Sequence, residues 1–210
     1  MKRAIILCLC LCLVLCLGCC GSAMARTVSF GKHDYMPMNW QVLKTSGEYT
    51  KLISEYCIDC RSFGSSSDWY SSSLRSWLNN DYLYSAFTQE ERQAMAYVEN
   101  DLIRIPSVWD MTNPEYGFSS NKDALDRTRS AQAGSTAVNH GVWTNHNGYC
   151  SYYTLTPCDR TSMYQVRTDG RIGVARIDRD NVGVRIVIIV RTDALKDVGQ
   201  DKTVQFSPYF

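Results

Sequence analysis

The chain has 210 residues, with 22 basic and 21 acidic side chains and 10 cysteines. Lys and Arg are scattered rather than grouped, which excludes the basic footprint of a nucleic-acid-binding surface, and no acidic tail is present. No internal repeat, long linker or low-complexity block divides the chain, so a single folded domain with a sizeable core is expected.

The first segment reads as a processing signal. Lys2 and Arg3 precede an apolar run from Ala4 to Leu17, and Ala23-Met24-Ala25 gives the small-x-small pattern a signal peptidase cuts after. Residues 1–25 are the expected signal peptide and 26–210 the single mature domain. The apolar run falls short of the roughly 20 residues a spanning helix needs. A second route exists, because "CLGCC" places Cys19 and Cys20 where a bacterial lipoprotein carries its lipidated cysteine. Either route delivers the product outside the cytoplasm, periplasmic or secreted, with a membrane contact only through such a lipid.

Six cysteines fall inside this leader, where they act as small hydrophobes; Cys57, Cys60, Cys150 and Cys158 remain. An even number in an oxidising compartment predicts two disulfides over free thiols, redox work or metal binding. Four cysteines allow three connectivities. The local pairs, Cys57 with Cys60 and Cys150 with Cys158, are the first expectation, and the former needs a turn at Ile58-Asp59. A local Cys150–Cys158 link would contribute about 2 to 3 kcal/mol, a long-range cross-pair about 4 to 5 kcal/mol.

In chain order, Phe30-Gly31, Trp40 to Leu43 and Tyr49 to Ile58 read as a short β meander. Leu74, Trp77 and Leu78 then share one helical face, Ser71 or Ser72 caps its start, and Asn79-Asn80 ends it. A second helix starts at Thr88, which has capping-box spacing to Glu91, and Met95 and Val98 continue its stripe. Both helices read as packing elements. Pro106 to Gly148 is polar and irregular. Strands return in "MYQVRTDGRIGVARI", a hairpin turning at Asp169-Gly170, and in "VGVRIVIIV", the most buried candidate. This order predicts an α+β fold with a mainly antiparallel sheet, two helices in the N-terminal half and long loops.

These segments carry a resemblance. Phe30-Gly31, Trp40 with Val42-Leu43, "LISEY" at 52–56, Asp59-Cys60, Trp69, "SSLRSWLN" at 72–79, Ala86-Phe87, the Asp169-Gly170 hairpin and "VGVR" at 182–185 resemble the bacterial family catalogued as domain of unknown function 6273, from about Val28 to Arg191. The chain departs from that pattern at Tyr153 to Pro157, where the family has Trp-Leu-Arg-Ser-Pro, and at Ile186 to Ile188, where it has Pro-Ala-Leu. The resemblance implies a C-type-lectin-like architecture, similar to the formylglycine-generating proteins, and no reaction.

The residues themselves announce no enzyme. There is no nucleophile elbow, P-loop or dinucleotide fingerprint, and the five residues between His140 and His146 match neither the one-turn spacing of a zinc helix nor a zinc finger. No catalytic residue, metal or cofactor is expected. The expected function is an exported, non-enzymatic recognition module for a glycan or protein ligand. Its candidate binding residues are Trp143, Asn145, His146, Asn147, Tyr149 and Arg160, which combine aromatic faces with planar hydrogen-bonding groups. The alternatives are an extracytoplasmic enzyme using Cys150 or His140 and His146, and a lipid-anchored structural envelope protein.

Overall fold

The structure, a computed structural model, describes residues 27–198. The expected signal peptide, its cleavage site and the alternative lipid sites Cys19 and Cys20 lie outside the described residues. Among the described residues no helix is long and apolar enough to cross a membrane.

The fold is α+β and rich in antiparallel sheet. The expected meander is β1 (Thr27–His33), β2 (Met36–Ser46) and β3 (Tyr49–Ser54), paired in succession. β12 (Val187–Arg191), β5 (Met95–Ala96) and β13 (Lys196–Asp197) complete a six-stranded sheet in the order β13-β1-β2-β3-β12-β5. A second sheet has the order β10-β9-β8-β11-β4, from β4 (Asp59–Cys60), β8 (Tyr152–Asp159), β9 (Ser162–Val166), β10 (Ile172–Arg176) and β11 (Gly183–Val184). Its β8–β11 pair is parallel. β6 (Ala131–Gln132) and β7 (Tyr149–Cys150) form a short ribbon beside it.

Two cores explain why some strands are apolar on both faces. Leu52 packs with Trp40, Phe63, Leu74, Leu78 and Phe87, while its neighbour Ile53 points to the other side and packs with Leu43, Met111 and Tyr152. Val187 and Ile188 divide in the same way. Strand side chains alternate, so a strand between two cores must be apolar at every position. That is the physical content of "VGVRIVIIV", which is buried as expected but splits between the sheets, β11 in one and β12 in the other.

Other expectations change in detail. β3 stops at Ser54 instead of reaching Ile58, because the Ser54 hydroxyl donates to the Tyr56 carbonyl at 2.8 Å and the chain bends away. The first helix, α1 (73–86), starts at the predicted Ser72 cap, whose Oγ accepts from Arg75 N. It does not end at Asn79-Asn80. It runs on through a π-helical turn, Leu78–Tyr82, because Asn79 is held by the neighbouring segment: its amide donates to Ile103 O at 2.8 Å and accepts from Leu102 N and Ile103 N. The Thr88–Glu91 capping box is present, but α2 (Gln89–Ala94) ends before Met95, which pairs with Val190 in β5. Strand pairing overrides the helical stripe there.

The polar stretch from Pro106 to Gly148 contains two short helices, α3 (Val108–Met111) and α4 (Ser135–Asn139). Arg129, with 0% exposure, pins it: its guanidinium donates to the carbonyls of Gly170 (3.1 Å), Asn121 (2.9 Å) and Ser119, and pairs with Asp126. The β9–β10 hairpin turns at Asp169-Gly170 as expected. Gly170 has φ +81 and touches the Asp126 backbone so closely that a Cβ would lie 1.7 Å from the Asp126 carbonyl oxygen. Only glycine fits there.

The local disulfide expectations fail on geometry. All four cysteines are unpaired. Cys150 and Cys158 lie on the same extended run, β7 into β8, where eight positions span about 26 Å, against a limit of about 7 Å between Cα atoms for a bridge. Cys60 turns its sulfur to Ala137 O at 3.6 Å, while Cys57 faces Cys150.

Candidate functional site

The expected 143–149 loop closes partly on itself. Asn145 Oδ1 accepts from the amides of Asn147 and Tyr149, both at 3.0 Å, and Gln132 Nε2 donates to Asn147 O. Asn145, His146, Asn147 and Tyr149 border a hollow of about 470 Å³ with Asp126, Arg127 and Thr168. Trp143 and Arg160 do not line it. Trp143 stands 62% exposed, and Arg160 belongs to the β8–β9 turn, where Asp159 Oδ1 accepts from Thr161 N at 2.7 Å.

The histidines and Cys150 also part company. Cys150 has 0% exposure. His140 sits away from the hollow that His146 borders, with its Nδ1 2.6 Å from the buried Asp59 carboxylate. Asp59 also accepts from Arg61 Nε at 3.0 Å and from its own neighbour's amide, Cys60 N, at 2.7 Å. Asp59 lines a cleft of about 300 Å³ with His33, Asp34, Trp77, Tyr82 and Thr136. The β1–β2 turn enters this cleft with two non-glycine residues at positive φ, Asp34 (51°) and Tyr35 (63°). Asp34 holds that strained turn by accepting from Ser135 Oγ (3.1 Å) and from Thr136. The Thr136 hydrogen bond lowers the Asp34 pKa against the opposing effect of burial, and burial pushes the Tyr82 phenol up. His140 thus has the orientation of a general acid or base. The Ser135 and Thr136 hydroxyls of α4 are engaged by Asp34, so the cluster acts as a clamp between β4, the β1–β2 turn and α4. Among the described residues no group of three or more His, Cys, Asp or Glu could hold a metal.

A larger concavity than either lies elsewhere, a groove of about 770 Å³ between α1, α2 and the turn after β5. Leu83, Met95 and Leu102 contribute apolar surface at its floor, and Tyr70, Tyr84 and Tyr97 stand on its rim, each at least half exposed. Asp101 organises one wall. Its buried carboxylate accepts from Trp69 Nε1 at 2.7 Å and from Arg75 Nε at 2.8 Å. The turn itself is closed by reciprocal Val98–Asp101 backbone bonds and carries Glu99 at φ 58, whose carboxylate receives the Tyr70 hydroxyl. That hydrogen bond raises the Tyr70 pKa. Arg92 lies over the Tyr84 ring at 4.7 Å, and Arg75 over the Tyr70 ring at 5.3 Å. Two arginines therefore hold two of the three rings in fixed orientations beside the amides of Asn80, Gln89, Gln93 and Asn100.

These contacts give "SSLRSWLN" a structural meaning: Ser72 caps α1, Arg75 grips Asp101, and Asn79 grips residues 102 and 103. The family model described as a domain of unknown function (DUF6273) matches residues 47–192. The chain belongs to that family. The match covers the groove and the Asp59–His140 clamp, but starts after β2, whereas the resemblance read from the sequence began near Val28. No curated protein and no solved structure matches the chain. Tyr153 and Thr154, at the start of the segment expected to depart from the family pattern, are fully buried.

Sequence reasoning missed the groove because it treated the two helices by their apolar faces alone. Tyr70, Tyr84 and Tyr97 have no common spacing. The available signal covered one ring alone: Tyr84 sits at a position of α1 that the helical stripe leaves outside, while Tyr70 and Tyr97 lie outside both helices.

Proposed function

We propose that this protein is an exported, non-enzymatic recognition module that binds a saccharide chain in the groove bordered by Tyr70, Tyr84 and Tyr97. The observation that carries the reading is three exposed tyrosine rings around one concavity with an apolar floor, two of them backed by arginine. Sugar rings present a C–H face that stacks on an aromatic ring and an edge of hydroxyls that suits planar amide and guanidinium groups. The groove's volume falls within the range of about 300 to 1,000 Å³ typical of ligand sites. Export and a C-type-lectin-like architecture belong to the same proposal. The signal-like leader supports the first, and an antiparallel core with an extended loop region between helices and β7 supports the second.

An oligosaccharide panel tests the reading, with Tyr84→Ala and Tyr97→Ala as variants. Removing an anchoring ring is expected to weaken binding about tenfold or more, on the order of 1 to 2 kcal/mol. Failure of the wild-type protein to bind any member of the panel, or unchanged binding by both variants, overturns it. A second reading, an enzyme, retains only His140 from the expected candidates, through its 2.6 Å contact with Asp59. A turnover assay on panel members that is abolished by His140→Ala would favour it.

A further inference from the structure

We propose that Cys57 and Cys150 are the partners of a long-range disulfide, formed as the chain folds. Four short backbone segments close a ring around these two side chains. Cys57 N donates to Gln132 O and Gly134 N to Cys57 O, both at 2.9 Å, which joins the Cys57 segment to β6. β6 pairs with β7 through Ala131 and Cys150. Gly183 N donates to Ser151 O at 2.8 Å, which joins the Cys150 segment to β11, and Ile58 N donates to Val184 O at 2.9 Å, which closes the ring.

In a square of strands spaced about 4.8 Å, opposite members are roughly 6.8 Å apart, at the upper end of the Cα separation a disulfide spans. Cys57 and Cys150 are the opposite members. The other two sides of the ring leave the middle free, because they supply Gly183 and Ala131. A Cβ on Gly183 would lie 3.0 Å from the Cys57 sulfur and 3.1 Å from the Cys150 sulfur, so both thiols occupy the space that its missing side chain leaves. The two sulfurs border that one space from opposite sides, and Cys57 and Cys150 each have 0% exposure. Cys150 Sγ lies 3.8 Å from Ala131 O, on the ring itself, whereas Cys60 is turned outward to Ala137 O on α4 and Cys158 is exposed, so both stand outside the ring.

The chemistry is thiol–disulfide exchange with a small-molecule or protein disulfide. One thiolate attacks the oxidant to give a mixed disulfide. The second displaces the oxidant's remaining thiol; the S–S bond forms, two protons and two electrons leave the protein, and the oxidant is reduced to two thiols. Burial raises the Cys57 pKa well above its ordinary value. Exchange therefore belongs to the open chain, before the ring closes and excludes the oxidant.

The test is to refold the expected mature chain, residues 26–210 with its four cysteines, in a buffer of reduced and oxidised glutathione, isolate the folded monomer, denature it without reductant, and block free thiols. Peptide mass mapping is expected to show the Cys57 peptide linked to the Cys150 peptide, with Cys60 and Cys158 blocked. The urea midpoint of the oxidised protein should exceed that of the reduced protein, and a Cys57→Ala/Cys150→Ala variant should lose that redox difference. Mapping the wild-type protein needs no variant to fold. Four blocked thiols in the folded monomer, or a link involving Cys60 or Cys158 in place of the predicted one, overturns the proposal.

Discussion

In the 145–149 loop, Asn145 directs its side-chain oxygen at the backbone amides of Asn147 and Tyr149, and Gln132 reaches across to the Asn147 carbonyl. In the groove beside α1, the buried Asp101 and the half-buried Asn79 carry the structural hydrogen bonds from beneath, and the tyrosine rings above them are left facing solvent. Both regions are rich in polar and aromatic side chains. They differ in the ring faces: the loop spends its Asn145 oxygen on its own backbone, whereas the groove keeps its tyrosine faces open even though the Tyr70 hydroxyl, Asn80 and Arg92 are hydrogen-bonded within the fold. A buried or tightly turned backbone must find partners for its amides, so an asparagine-rich loop tends to consume its own side chains, whereas a groove framed by helices has its backbone bonds made internally.

The strongest way to break the comparison is to unpin the loop region at its anchor. Gly170→Ala places a methyl against the Asp126 carbonyl at a backbone angle alanine avoids, so a loss of about 3 kcal/mol or more is expected by urea denaturation. The groove should survive in whatever fraction remains folded, since Gly170 touches the opposite part of the molecule and does not line it.

A smaller loss, about 2 kcal/mol, is expected for Lys51→Met, which removes one of two cationic partners of the fully buried Asp110 carboxylate and leaves Arg104 at 3.5 Å. Burial opposes ionisation of Asp110, but Lys51 and Ser107 outweigh it and hold its pKa below the ordinary 3.8. A carboxylate with a lowered folded-state pKa contributes stability above its unfolded value and loses it as pH falls through the folded one. Wild-type stability should therefore drop on acidification below about pH 4, and the drop should shrink in Lys51→Met.

The smallest effects sharpen the contrast within the loop. Asn145→Ala leaves two amides without their acceptor and should cost about 1 kcal/mol, while Trp143→Ala, on an exposed ring, should stay within about 0.5 kcal/mol. Neither should change saccharide affinity if the groove is the binding surface.

Local signals alone determined much of this protein. Period-two alternation identified the meander, Asp169-Gly170 the hairpin, Ser72 and Thr88 the helix caps, and the continuous run at 182–190 a buried segment, though not its division between two sheets. Each of these depends on residues within a few positions of one another. Tertiary structure decided where local rules compete with a distant partner. Asn79 would end a helix on its own but is held by residues 102 and 103. Met95 fits a helical stripe but pairs with Val190. Three tyrosines without common spacing meet on one groove, and Cys57 meets Cys150 across 93 positions only because Gly183 leaves room between them. Such meetings depend on how two sheets are wound around two cores, which the spacing of residues along the chain does not encode.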